Sequence, residues 1–297
     1  MSNTDSILRY SRGTSFLIVI AAYIVSIAAG YGALEIGSSF LSPIWNMFVA
    51  DIIATIVIWA FSILVRNASM YDAYWSVVPI AITYYWISKS STQWDFKNLL
   101  TIFVVCYWGI RLTVNWARGW TGLSHQDWRY KMLEDKNPRL YWLTNLGGIH
   151  LFPTVVVFLC MIPVYFLVSS PLILESTFII LGFVISVLAT TIEFVADEQM
   201  KIFKKTAKPG EYINIGLWKY SRHPNYFGEI SFWFGLYIMS LGVVDCQYWS
   251  IAGVFIILSM FLFASIPMME ERTLVSRPNY AKQIKTVSVL FPWFRKS

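Results

Sequence analysis

Charge is the scarcest commodity in this sequence. Of its 297 residues only 13% are charged, against roughly a quarter in an ordinary soluble domain. So few charges can neither wet the surface of a water-soluble fold nor neutralise a nucleic-acid backbone, and with 57% hydrophobic residues the chain is not disordered either. Cysteine is nearly as rare. Cys106, Cys160 and Cys246 stand isolated in or beside apolar runs with no Cys-x-x-Cys, which excludes a disulfide scaffold and reads as small apolar packing residues. The three histidines, His125, His150 and His223, are too dispersed for a metal site and too few for a Ser-His-Asp hydrolase. The chain also lacks G-x-G-x-x-G, G-x-x-x-x-G-K-[ST] and H-E-x-x-H, so a bound nucleotide requires some other architecture. Internal repeats, low-complexity tracts and terminal lipidation motifs are absent too.

What is abundant is apolar length. Runs near the roughly 20 residues that cross a bilayer occur at Phe16 to Leu34, Ile44 to Leu64, Tyr74 to Ile87, Leu99 to Trp116, Ile149 to Ser169, Leu172 to Phe194, Tyr226 to Val244 and Tyr248 to Pro267. They predict an all-α, polytopic transmembrane bundle forming one membrane domain over residues 1–297. The third run is short and contains Pro79, so seven spans is the alternative to eight. The first run is too long for the core of a signal peptide and is expected to stay as a helix.

The basic residues test this map independently, because positive loops remain cytoplasmic. With eight spans, 21 of the 23 Lys and Arg fall on one side, from Arg9 through the loops around Arg118, Lys204 and Arg277 to Lys296, leaving only Lys89 and Lys97 opposite. Eight crossings with both termini cytoplasmic follow. The net charge of +6 is therefore concentrated in a few cytoplasmic stretches, where it orients the protein and meets anionic headgroups.

Two of those stretches mix basic residues with Asn, His, Tyr, Trp, Glu and Asp, the combination a polyanionic aromatic ligand needs. In Glu193 to Glu229, the spacing of Glu193, Asp197, Lys201 and Lys204 places all four on one helical face, as an ion-pair ladder or as ligands for sugar hydroxyls and phosphate. Next comes Ser221-Arg222-His223-Pro224-Asn225-Tyr226. Pro224 suits a helix's first position, and the free N–H groups behind it, beside Arg222 and His223, attract a phosphate or carboxylate. Asn225 and Glu229 lie one turn apart on that helix. A glutamate at a span's start is costly unless paired or wet, which makes Glu229 a functional candidate, with packing against Arg222 or another span as the structural alternative.

In Tyr107 to Tyr130, Arg111 and Arg118 are two turns apart on one face, placed to snorkel to headgroups or to reach a diphosphate. Asp127, Arg129 and Tyr130 sit in a polar connector where capping and ligand contact are equally open. Two further acids stand at membrane depth. Asp51, near a span end, is expected to reach the interface. Asp72, flanked by Tyr71, Tyr74 and Trp75, reads as a partly dehydrated acid able to donate to a carbonyl, or as a headgroup-level cap.

The run GLWKYSRHPNYFGE, with EFVADEQMKIFK before it, WGIRL and DWRY further upstream, and PMMEERTL and RPNYAKQIKTVSVLFPWF after it, resembles the steroid 5-alpha-reductase-like membrane family over about residues 70–294. The match is nearest to its broad, largely uncharacterised branch; sterol reductases and, more distantly, isoprenylcysteine carboxyl methyltransferases belong to the same superfamily. The resemblance implies a helical membrane enzyme whose cytoplasmic half encloses NADPH and whose inner half opens to a lipid or steroid-like substrate. It puts the family's nucleotide-binding residues on Asn225, Glu229, Asp197, Lys201, Lys204 and Arg111. Glu193, Arg118, Arg129, Tyr220, Arg222, His223 and Tyr226 complete the expected cofactor set. The steroid enzymes' substrate-holding Gln-Glu pair is replaced by Tyr71-Asp72, and their tyrosine by Tyr107 or Trp108. Asp72, Tyr107 and Glu229 are accordingly the expected catalytic residues: hydride goes to the carbon beta to a carbonyl whose oxygen Asp72 and Tyr107 hydrogen-bond.

No metal, nucleic acid or obligate protein partner is expected, only membrane lipids and the substrate, in an endoplasmic reticulum or bacterial inner membrane according to host. An S-adenosylmethionine-dependent methyltransferase using Arg222-His223-Pro224 and Glu270-Glu271, and a non-catalytic lipid-binding protein, are the competing readings.

Overall fold

The structure, a computed structural model, describes residues 10–295. Arg9 and Lys296, counted above among the terminal basic residues, lie outside that range. Twelve α-helices follow one another along the described chain. They are α1 (Arg12–Gly37), α2 (Pro43–Leu64), α3 (Tyr74–Lys89), α4 (Phe96–Gly119), α5 (Trp128–Lys136), α6 (Tyr141–Thr144), α7 (Phe152–Ser169), α8 (Ser176–Thr206), α9 (Pro224–Ser240), α10 (Ala252–Met260), α11 (Ile266–Ser276) and α12 (Tyr280–Thr286). Among the described residues there is no strand, only isolated bridges joining Ile173 to Val243 and Ser221 to Ser288.

Six helical stretches are long and apolar enough to cross a membrane: α1, α2, α4, Pro138–Ser169, α8 and Tyr248–Ser276. The chain is an integral membrane protein by that measure. The third and seventh apolar runs form shorter helices, α3 of 16 residues and α9 of 17. Boundaries moved where polar residues continue a helix beyond the apolar run. The fifth run starts inside a helical stretch that begins at Pro138, through a π-helical segment at Asn145–Leu151, and the last continues to Ser276 through another at Phe261–Ser265. The sixth begins four residues later than its apolar run, where Glu175 accepts a hydrogen bond from Thr177 N and caps α8.

Two compact units organise these helices. The first comprises residues up to Tyr85 together with Trp108–Phe158. Within it α1 and α2 pack closely through small residues. A Cβ added to Gly30 would meet Ala50 O at 3.2 Å, and Ser26 Oγ donates across the pair to Ala54 O at 2.8 Å. The second unit comprises Trp86–Tyr107 and Leu159 onward. Its axis is the α8–α9 pair, in which Gly182 sits against the backbone of Gly235 and Met239, and a Cβ on Gly228 would meet Ala189 O at 2.8 Å. Interhelical packing of this kind uses small residues because lipid supplies no hydrophobic drive to hold helices together.

Beyond α8, the connector to α9 is anchored by side chains. Trp218 Nε1 donates to Ala196 O at 3.0 Å, Gln283 Nε2 to Ile213 O at 3.0 Å, and Ser221 Oγ to Leu290 O at 2.7 Å. The connector and the C-terminal segment are thereby fixed against one another beside the start of α9.

Candidate functional site

Pro224 occupies the first turn of α9, as its missing N–H and fixed φ favour. The two residues before it are held by a single carboxylate oxygen. Glu270 Oε1 on α11 lies 3.1 Å from Arg222 Nε and 3.0 Å from His223 Nε2, and accepts from the Tyr280 hydroxyl at 3.3 Å. The Arg222 Nε contact is an ion pair by distance without hydrogen-bond alignment; Arg222 Nη1 donates instead to Ile284 O at 3.1 Å. The His223 ring stacks on Tyr226 with centroids 5.4 Å apart, and Tyr226 stacks on Phe261 at 4.3 Å. Arg222 and His223 thus both face one internal acid, Glu270.

Directly after Pro224, Asn225 Oδ1 is buried without a hydrogen-bond partner. Glu229, 3% exposed, accepts from Trp233 Nε1 at 2.7 Å along the same helix. On α8, Glu193 is also buried, and its Cγ would lie 2.7 Å from a Cβ on Gly228. Glu193 therefore lies against the turn of α9 that carries Asn225, Gly228 and Glu229. Asp197, Lys201 and Lys204 continue α8 toward its end, with Lys201 Nζ 3.7 Å from Glu198 Oε1 and Lys204 exposed. Tyr220 is half-exposed, its ring edge-on to Phe294. Tyr107, on α4, shares a 3.2 Å hydrogen bond with Thr191 of α8.

In the first unit Asp72 closes the connector between α2 and α3. It accepts from the Tyr130 hydroxyl at 2.6 Å. Burial pushes its carboxyl up to about 7, although the Tyr130 hydrogen bond and the Arg129 charge pull the other way. In its connector Asp127 caps α5, accepting from Arg129 N at 2.8 Å, and pairs with Arg129 Nε at the same distance. Arg118 is exposed. Arg111 does not snorkel, being 8% exposed well inside α4. Asp51 likewise fails to reach the interface, because α2 starts at Pro43 and Asp51 sits two turns inside it at 6% exposure.

A buried hydroxyl chain was not foreseen. Thr154 Oγ1 lies 2.8 Å from the Tyr71 hydroxyl and 3.0 Å from Thr55 Oγ1. Beside it His150 has Nδ1 3.0 Å from Asn145 O and packs against Tyr71 at 4.9 Å between centroids. The sequence distances, 83 and 99 residues, hide this grouping. Glu270, the hub of the second unit's cluster, entered the sequence reading with Glu271 and Arg222-His223-Pro224 only under the methyltransferase alternative.

Residues 58–287 match the model of the family described as a protein of unknown function (DUF1295). The chain belongs to this family. The match takes in the Glu270 and Asp72 clusters, while Thr55 of the hydroxyl chain and all of α1 lie outside it. A similar curated protein is the uncharacterized protein C594.04c of Schizosaccharomyces pombe, 23% identical over 223 residues that cover 65% of this chain. The chain spans 64% of that relative's length. No solved structure matches the chain.

Proposed function

We propose that this DUF1295 protein is a membrane reductase that uses NADPH to saturate an activated C=C bond of a lipid or steroid-like molecule. Its eight helical crossings, α3 and α9 included, leave both termini cytoplasmic. The observation that carries the reading is Asn225, whose side-chain oxygen is buried and unpartnered at the start of α9, one turn from Glu229, with Glu193 of α8 against Gly228 in the same turn. Orphaned buried acceptors are rare because each forfeits its hydrogen bond to water. A carboxamide N–H such as that of nicotinamide satisfies this one, so the residues fit the cofactor. When bound, NADPH supplies a hydride. Glu193 and Glu229 accept hydrogen bonds from hydroxyl or amide groups, and Lys201, Lys204 and Tyr220 flank the connector side with cationic and aromatic surface. Asp72, held near neutrality in its proton affinity, is the acid able to hydrogen-bond a developing enolate and yield a proton. The likeness of Arg222-His223-Pro224-Asn225-Tyr226 to steroid 5-alpha-reductase-like proteins supports the same assignment.

One observation favours the methyltransferase reading: Glu270 offsets Arg222, so less free positive charge awaits a diphosphate at this end of α9. Titrating NADPH and S-adenosylmethionine against the purified protein in detergent decides between them. NADPH is expected to bind, and Asn225→Ala to weaken it by about tenfold, the worth of a hydrogen bond to a buried group. Binding of S-adenosylmethionine but not NADPH would sink the proposal.

A further inference from the structure

A cavity of about 110 Å³ lies within the first unit, among α1, α2 and α3. Its walls are aliphatic and aromatic, with Gly30, Ala54, Val78 and Ala81 among them, and it opens past Ile27 and Tyr31, both of which are exposed. Two buried polar residues interrupt this lining. The Tyr74 ring belongs to it, its hydroxyl 3.5 Å from Ser26 Oγ. The other is Asp51, buried, with Oδ1 lacking any hydrogen-bond partner and no basic residue in the lining.

An acid so placed is expensive. A carboxyl group inside a membrane bundle normally finds a cation, a donor or water, and an unpaired one marks a functional site. Chain packing gives no reason for Asp51 here, since Ala50 and Ala54 make the close helix contact on either side of it. What the lining omits is a donor to Oδ1. The cavity is smaller than the ~150 Å³ apolar void that admits a benzene molecule, so it takes a head group and a few carbons while the rest of an occupant extends through the mouth into the acyl region.

We infer that the cleft among α1, α2 and α3 binds a long-chain apolar molecule whose head group, a primary alcohol or amine, donates a hydrogen bond to Asp51. The site accepts a donor, whereas the enone of the proposed reduction presents an acceptor, and it uses residues that reading does not. Either can fail without the other.

The test uses the full chain in lipid nanodiscs and a hexadecanol bearing a photoactivatable diazirine near its hydroxyl. Peptide mapping is expected to find the label on the cavity-facing parts of α1 and α3. Hexadecanol and hexadecylamine should displace it about tenfold better than hexadecyl methyl ether, which fills the same space without donating. The alcohol and the amine, run separately, tell which head group the site prefers. Asp51→Leu should retain labelling and lose the preference over the ether; Ala81→Phe, which fills the cavity from α3, should lose labelling. Equal displacement by the ether, undiminished labelling of Ala81→Phe, or label confined to other helices overturns the inference. Should Asp51→Leu fail to fold, the ether comparison and Ala81→Phe still decide.

Discussion

Replacing Glu270 by glutamine is the sharpest probe of the second unit, because one oxygen serves three partners there. Glu270→Gln preserves size and leaves an acceptor for Tyr280, but removes the charge opposite Arg222, whose side chain is only 5% exposed. Stripping the partner from a buried ion pair costs about 3–5 kcal/mol when burial is complete. Glu270 itself is 14% exposed, which lets water relax part of that penalty and brings the expected loss to about 2–3 kcal/mol. At about 2–4 °C per kcal/mol for a chain of this size, the unfolding midpoint in detergent, followed by tryptophan fluorescence, should fall by about 5–10 °C. Removing the stranded cation as well should recover much of it. The double variant Arg222→Met, Glu270→Gln is therefore expected to be more stable than the sum of the single losses by over ~1 kcal/mol. A shift under about 1 °C in Glu270→Gln, or strict additivity in the double variant, refutes the claim that this carboxylate organises the entrance to α9.

Asp72 gives a second prediction, through pH. Its native carboxyl titrates near 7 while an unfolded aspartate titrates near 4. Between those values the native state holds more protons, so stability falls as pH rises through that window. Melting profiles from pH 4 to 8 should show that slope in the wild type and a flatter one in Asp72→Asn; identical slopes would remove Asp72 as its source. Span count is open to cysteine labelling in a background lacking Cys106, Cys160 and Cys246. If α3 crosses the bilayer, exposed cysteines at Ser39 and Ser91 react with an impermeant reagent from the same side and one at Ser124 from the other; opposite sidedness of the first two means that α3 turns back.

Local rules carried the reading as far as single elements. Pro224 opens α9 and Asp127 caps α5 because each effect depends on residues within one turn. Partner identity depends on the fold. Nothing in the sequence around Arg222 says that its acid is Glu270, 48 positions away, rather than Glu229, and nothing near Tyr130 says that its hydroxyl reaches Asp72. Asp51 shows the same limit from the other direction. Its distance from the end of the apolar run suggested an interfacial carboxylate, whereas the direction of its side chain is decided by how α2 packs on α1. Helix lengths diverged where amphipathic residues prolonged a span, as in α8, whose last turns carry Lys204 and Lys205.

The glycine contacts along α8 and α9 have a mechanical consequence. Where Gly182 meets Gly235 and Gly228 meets Ala189, the two main chains approach to contact, with only the Ser186, Glu193 and Met239 side chains packed into the same seam. The spacing of the α8 turn carrying Glu193 from the α9 turn carrying Gly228 is consequently set largely by backbone contact, as in a rigid jig. Separating the two helices would break the whole seam at once. The connector at residues 207–223 is attached differently, by separate hydrogen bonds, by Ile213 and Trp218 packed on Ala196, and by the Arg222–Glu270 pair.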